Sequence, residues 1–185
     1  TGLGRAGALL KSWDDDVKPD LVCLGKGLGG GVAPLSAVIG NPEVMDILDL
    51  GDIGSTMAAN PPATAAACAA LDVLIDERIC KQSIEKGEIM KKLLLNGKLD
   101  GIKDVSGSGM LRAVVLNPEL IDDKFNGSRI AKYCALKGLI VNSAAGGTRI
   151  RLCPPPTIDI KDLEKGVNIF LECVSTVKEI EDPIL

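Results

Sequence analysis

The sequence predicts an α/β chain built of two units, and three observations carry that prediction. A four-residue apolar run over 21–24 ends in a cluster of glycines around one lysine, the pattern of a buried strand that runs into a ligand-facing loop. An alanine-rich stretch over 62–79 and a second periodic stretch over about 82–96 read as consecutive helices. Near residue 100 the pattern changes to short strands alternating with amphipathic helices. The first unit is therefore expected over residues 1–98 and a compact α+β unit over 99–185.

The elements follow in order. Residues 1–20 form a Gly- and Asp-rich approach in which Leu9, Leu10 and Trp13 read as a packed patch and Asp14-Asp15-Asp16 as a solvated turn. After the strand at 21–24, Pro34 and the apolar run behind it suggest a second strand at about 34–39. Asn41-Pro42-Glu43 is a helix start, since proline at the first helical position loses no hydrogen bond there; this helix should reach about residue 48. Gly54-Ser55-Thr56 lies in a polar loop whose hydroxyls either cap the next helix or hold an anion. The small side chains of the 62–79 helix allow close packing, so it is expected to be buried. The helix over 82–96 carries Ile84, Ile89, Leu93 and Leu94 at helical spacing and stops at Asn96-Gly97.

In the second unit, residues 102–109 lead into a strand over 110–116. Asn126-Gly127-Ser128 caps a helix through Lys137, which Gly138 stops. Leu139-Ile140-Val141 reads as a strand, with residues 149–152 as its hairpin partner across Ala144-Ala145-Gly146-Gly147. Pro154-Pro155-Pro156 ends that hairpin. The last helix, about 159–180, shows Ile160, Leu163, Val167, Phe170, Leu171 and Val174 on one face.

Composition removes several classes of function. Apolar residues make up 46% of the 185, enough for a packed core, so disorder is not expected. Aromatics at 2% are too sparse for base-stacking modules, and a net charge of −4 argues against a phosphate-backbone binder, so nucleic acid is not an expected partner. No apolar run approaches the roughly 18 residues of a membrane span. Histidine is absent, which removes His-based triads and His metal sites. The six cysteines form no C-x-x-C pair, and since most lie in apolar company they read as reduced core residues of an intracellular protein, so neither disulfide nor metal is expected. The chain opens without Met or signal peptide and reads as an excerpt beginning inside a folded unit.

Chemistry concentrates at Lys26, flanked by Gly25, Gly27, Gly29, Gly30 and Gly31. A solvated lysine in a surface turn is the plain reading. Residues 25–30 also satisfy G-x-G-x-x-G, but that motif needs a helix opening at the glycines, and the continuation over 31–40 suggests a strand instead. The third reading, which we favour, is a buried lysine whose lowered pKa makes it a nucleophile able to form a Schiff base. Glycine around it permits close approach of backbone to ligand.

Taken together, the ordered motifs resemble the subgroup III pyridoxal-phosphate aminotransferases, nearest to their ornithine and acetylornithine members and covering the C-terminal half. The residues that carry the resemblance are the opening Thr1-Gly2-Leu3-Gly4-Arg5, Lys18-Pro19-Asp20, the strand with Gly25-Lys26-Gly27, Gly54-Ser55-Thr56 with Asn60-Pro61, and Arg151-Leu152-x-Pro154-Pro155. The resemblance implies the fold-type I transferase architecture: the end of the large cofactor domain plus the small C-terminal domain. It implies pyridoxal 5'-phosphate as cofactor, with Lys26 as its Schiff-base lysine and as the base that shuttles the substrate proton. It implies Ser55 and Thr56 as phosphate ligands, the threonine reaching the partner subunit of a homodimer. Arg151 would clamp the carboxylate of the amino donor or of 2-oxoglutarate, a task suited to a guanidinium fork; on the residues alone it could equally be a surface ion-pair residue. The implied reaction is transamination of ornithine, acetylornithine or a related ω-amino donor with 2-oxoglutarate, in the cytoplasm or the mitochondrial matrix, with the excerpt inactive by itself. An aminomutase or racemase of the same cofactor class and a non-catalytic scaffold homologue are the alternatives. Met57-Ala58-Ala59 departs from the family's aromatic and two glycines, and the family's aspartate for the ring nitrogen lies upstream of Thr1.

Overall fold

The structure is a computed structural model, and it describes residues 2–181. Thr1 of the opening motif lies outside the described residues. The first elements are a two-stranded antiparallel sheet, β1 (Leu21–Leu24) and β2 (Ala37–Gly40), with Leu24 opposite Ala37. β2 begins three residues later than its sequence suggests, because Pro34 has no N–H for a ladder and holds its segment in the loop. Nor is β1 a buried strand: Leu21 is 48% exposed, since no further strand flanks this pair among the described residues. A short helix α1 (Pro42–Met45) starts at Pro42 as expected and ends earlier than expected.

Helix α2 (Pro61–Asp76) opens with Asn60, whose side chain accepts the Ala63 N–H, and has prolines in its first turn. The expectation that it is buried fails. Only Ala63 and Ala67 are buried, while Val73 and Ile75 face outward. Its break at Glu77–Arg78, with Arg78 at φ 52°, lets helix α3 (Ile79–Asn96) begin three residues earlier than predicted. The buried face of α3 is Ile79, Ser83, Gly87, Met90 and Leu94, so Ile84, read as a core position, is exposed instead.

The remaining elements make a four-stranded antiparallel sheet in the order β3 (Ile102–Ser108), β4 (Leu111–Leu116), β6 (Arg149–Leu152), β5 (Asn142–Ala144). Residues 102–108, expected only to lead into a strand, are a strand themselves, with a bulge between Ile102 and Asp104. The strand expected at 139–141 forms at 142–144. Gly138, at φ 85°, and Leu139, whose N–H bonds to Cys134 O, still belong to the C-terminal cap of helix α4 (Gly127–Leu136). Helix α5 (Ile160–Thr176) continues as a 3₁₀ turn over Val177–Glu179.

The main core lies between this sheet and three helices. Met90 and Leu94 of α3, Ile130 of α4 and Phe170 of α5 meet Val105, Val114 and Ile150 of the strands. The expected boundary at 98/99 thus falls directly after a helix whose inner face belongs to the second core. Cys134 and Cys173 are buried there, and burial pushes the Cys134 thiol far above its ordinary range. The reading of the cysteines as core residues fails for Cys23 and Cys68, which are exposed on the thinly packed first elements. Trp13, expected in a packed patch, is 58% exposed.

Candidate active site

The loop after β1 is a 3₁₀ turn over Lys26–Gly29, and Lys26 opens it at φ 53°. A non-glycine residue in that region is uncommon, and such strain concentrates where function requires it. The turn rests on α2: a Cβ at Gly30 would lie 3.1 Å from Cβ of Ala70. Beside Lys26 the space is open, because a Cβ at Gly27 or Gly31 would meet nothing within 4 Å. Lys26 itself is exposed, so the expected burial of its amine is not found in this chain. What the described residues supply is an exposed lysine at the opening of a turn, with open space at its neighbours Gly27 and Gly31.

Ser55 and Thr56 stand in the loop that precedes α2, both exposed. That loop closes on Ala59 at φ 51°, a left-handed backbone that strains an alanine and that glycine would relieve.

Arg151 owes its position to the two-residue period of a strand. Ile150 and Leu152 of β6 point into the core, which turns Arg149 and Arg151 to the opposite face. Arg151 pairs with Ala113 across β4 and makes no ion pair among the described residues. It borders an open cleft of about 550 Å³ whose lining also includes Ala6, Lys11, Ser108, Arg112 and Ala113. Ala6 and Lys11 bring the N-terminal segment to that cleft.

Two arginines that the sequence reading gave no role organise this region. Arg112 is only 3% exposed. Its Nε donates to Gly109 O at 3.1 Å, Nη1 to Gly107 O at 2.6 Å and Nη2 to Glu88 Oε1 at 2.6 Å. That guanidinium holds the Glu88 carboxyl below its ordinary range. A signal for it existed, since Arg112 occupies an inward register with Met110, Val114 and Leu116, where a charge must be paired. Arg5 is half-buried, and its Nη1 donates to Pro154 O at 2.8 Å, Cys153 O at 3.2 Å and Met110 O at 3.3 Å. Only its place in the opening motif marked it.

Comparison with known proteins agrees with this arrangement. The family model described as "Aminotransferase class-III" matches residues 1–174. The chain belongs to the class III aminotransferases. It is 37% identical over 182 residues to the ornithine aminotransferase of Saccharomyces cerevisiae, covering 94% of this chain and 42% of that protein. The crystal structure of the Toxoplasma gondii ornithine aminotransferase superposes with a TM-score of 0.86 at 33% identity, over 97% of this chain and 42% of that one. The acetylornithine aminotransferase of Elizabethkingia anophelis gives 0.83 at 34% identity, over 95% and 43%. The class III chain therefore spans well under half the length of these relatives, and its architecture is that of their fold-type I transferases.

Pyridoxal phosphate is the cofactor of this family, and the donor set present here fits it in part. An amine with open space beside it suits the aldehyde, and hydroxyls before a helix N-terminus suit a phosphate. Among the described residues no cluster of His, Cys, Asp or Glu could hold a metal, and no helix is long and apolar enough to cross a membrane.

Proposed function

We propose that the chain is the C-terminal part of an enzyme that transfers an amino group from an ω-amino donor of the ornithine or acetylornithine kind to 2-oxoglutarate. The observation that carries this reading is Lys26, held at φ 53° at the end of β1 with open space beside its amine. Bound pyridoxal phosphate would supply the carbonyl that takes up the amino group and a ring that accepts electron density from the substrate carbon bearing that group. Lys26 Nζ would anchor the cofactor at rest. Freed by the substrate, it would take the proton from the donor carbon that bears the transferred amine and, in the second half of the reaction, deliver one to the carbonyl carbon of 2-oxoglutarate that becomes Cα of glutamate. Ser55 Oγ and Thr56 Oγ1 donate to phosphate oxygens, the threonine toward the partner subunit of a homodimer. Arg151, with no competing carboxylate among the described residues, binds the substrate carboxylate through paired N–H donors. The first unit is read as the end of the cofactor domain and the second as the small domain that carries the carboxylate clamp.

The test is an absorbance spectrum of the full-length enzyme with pyridoxal phosphate, before and after borohydride, beside Lys26→Ala. A visible band that borohydride converts into a covalent label on the peptide containing Lys26, and that Lys26→Ala lacks, is the expected result. Labelling of a different lysine sinks the assignment. Glutamate formed from 2-oxoglutarate distinguishes transamination from aminomutase or racemase chemistry.

A further inference from the structure

We propose that Arg5 is the positioning residue of the carboxylate clamp: it fixes the exit of β6, and through that exit it sets where Arg151 presents its guanidinium. The proposal rests on the reading of Arg151 given above.

The register ladder between β4 and β6 ends at Arg112 opposite Leu152. Beyond it the chain leaves the sheet through Cys153 and three prolines, and proline has no N–H with which to hold itself. The carbonyls of Cys153 and Pro154 therefore need a donor from elsewhere, and Arg5 Nη1 provides it, at 3.2 and 2.8 Å. Cys153 is two residues from Arg151, so the strand that bears the clamp is held by β4 on one side and by Arg5 at its end.

Arg5 is itself seated without slack. Its carbonyl accepts the Met110 N–H at 2.9 Å, and Ser108 Oγ donates to the neighbouring Ala6 O at 2.7 Å. A Cβ at Gly109 would lie 2.6 Å from Arg5 O, so the β3–β4 turn is pressed against this segment. One cation thus ties the N-terminal segment, the hairpin turn and the end of β6 together directly behind the cleft. A carboxylate recognised by a guanidinium fork tolerates little displacement of that fork, and small misplacements of positioned groups cost heavily.

The variants to make in the full-length holoenzyme are Arg5→Met, which keeps the stem and loses every donor, and Arg5→Lys, whose ammonium stops one bond short of the carbonyls. The expected result is a KM for 2-oxoglutarate raised about tenfold in Arg5→Met and about threefold in Arg5→Lys, with kcat held within about twofold. Hydroxylamine, which carries no carboxylate, should discharge the cofactor band at the wild-type rate in both. Ser108→Ala, a mild change at the same junction, should raise that KM about twofold and keeps the test decisive if Arg5→Met does not fold. Unchanged KM in Arg5→Lys and Ser108→Ala overturns the proposal. So does a parallel fall in kcat and hydroxylamine rate, which marks a merely structural role. Arg151→Gln separates the two levels. If its KM for 2-oxoglutarate is normal, the assignment of Arg151 itself fails; if it is raised while Arg5 variants behave as wild type, only the positioning role fails.

Discussion

Gly87→Ala sets two ordinary effects against each other, and one distance decides the sign. Gly87 sits in the interior of α3, where replacing glycine by alanine gains about 1 kcal/mol of helix propensity. The added Cβ, however, would lie 2.1 Å from the carbonyl oxygen of Gly109 and 2.5 Å from its carbon. Both are backbone atoms, so no side chain can swing away, and the turn would have to retreat by roughly 1 Å to reach van der Waals distance. Behind the turn stands Arg5 O, 2.6 Å from where a Cβ of Gly109 would be, which closes that direction. Overpacking of this kind costs about 1–3 kcal/mol, and the Arg112 Nε bond to Gly109 O weakens as well, by about another 1 kcal/mol. Net destabilisation of about 2 kcal/mol follows, a fall in Tm of about 4–8 °C for a chain of this size. Thermal unfolding followed by circular dichroism measures it, with the exposed Glu85→Ala on the same helix as a near-neutral control. A Tm equal to or above wild type would show that the packing of α3 on the β3–β4 turn is looser than these distances require.

Three further outcomes follow from the same reasoning. Ala59→Gly removes a side chain from a left-handed backbone at φ 51°, and after the entropy glycine adds to the unfolded chain it should stabilise by about 0.5–1 kcal/mol; a lower Tm would contradict the strain. Arg112 holds the Glu88 carboxyl low, so the pair contributes fully above the unfolded carboxylate value of about 4.3 and loses its contribution as pH falls through the lower folded value. Wild type should therefore lose Tm more steeply than Glu88→Gln between about pH 5 and pH 3, and parallel curves would refute the pairing. Phe170→Ala empties a fully buried position between α5 and the sheet, at about 3–5 kcal/mol, read as loss of cooperative unfolding or a large fall in denaturant midpoint.

The second unit was legible wherever one strong pattern decided it. The α5 periodicity and the Asn126 cap of α4 are each visible as residues at fixed spacing, and so is the second strand of the hairpin, β6, whereas its first strand forms three residues later than expected. Sequence reasoning failed where burial fell on small or polar residues. α3 buries Ser83 and Gly87, which carry no hydrophobic signal, and leaves Ile84 outside. It failed again at β1 and α2, whose composition announces a core that the described residues do not close around them. At the site, Lys26 was marked by its glycines and Arg151 by its motif, but the burial expected of Lys26 was not found. Arg5 was marked by its motif, but its role could not be read, because its partners are carbonyls of residues 105 to 149 positions away.

That division has a chemical counterpart in the proposed reaction. Arg151 would present a planar fork to a planar carboxylate at one fixed distance, and it stands on a strand paired on both sides, whose other face lies on the main core and whose exit is held by Arg5. In that proposal Lys26 has the opposite requirement, since its amine would serve first the cofactor carbonyl and then the substrate carbon that bears the amine. It is exposed at the opening of a turn flanked by glycines, on elements with few buried side chains of their own. Rigidity costs conformational entropy wherever it is imposed. In the proposed reaction that cost falls on the group that must recognise, while the lysine needs side-chain freedom to serve two atoms. Swapping those properties would damage both roles: a mobile clamp loses carboxylate discrimination, and a lysine locked by packing loses one of its two positions.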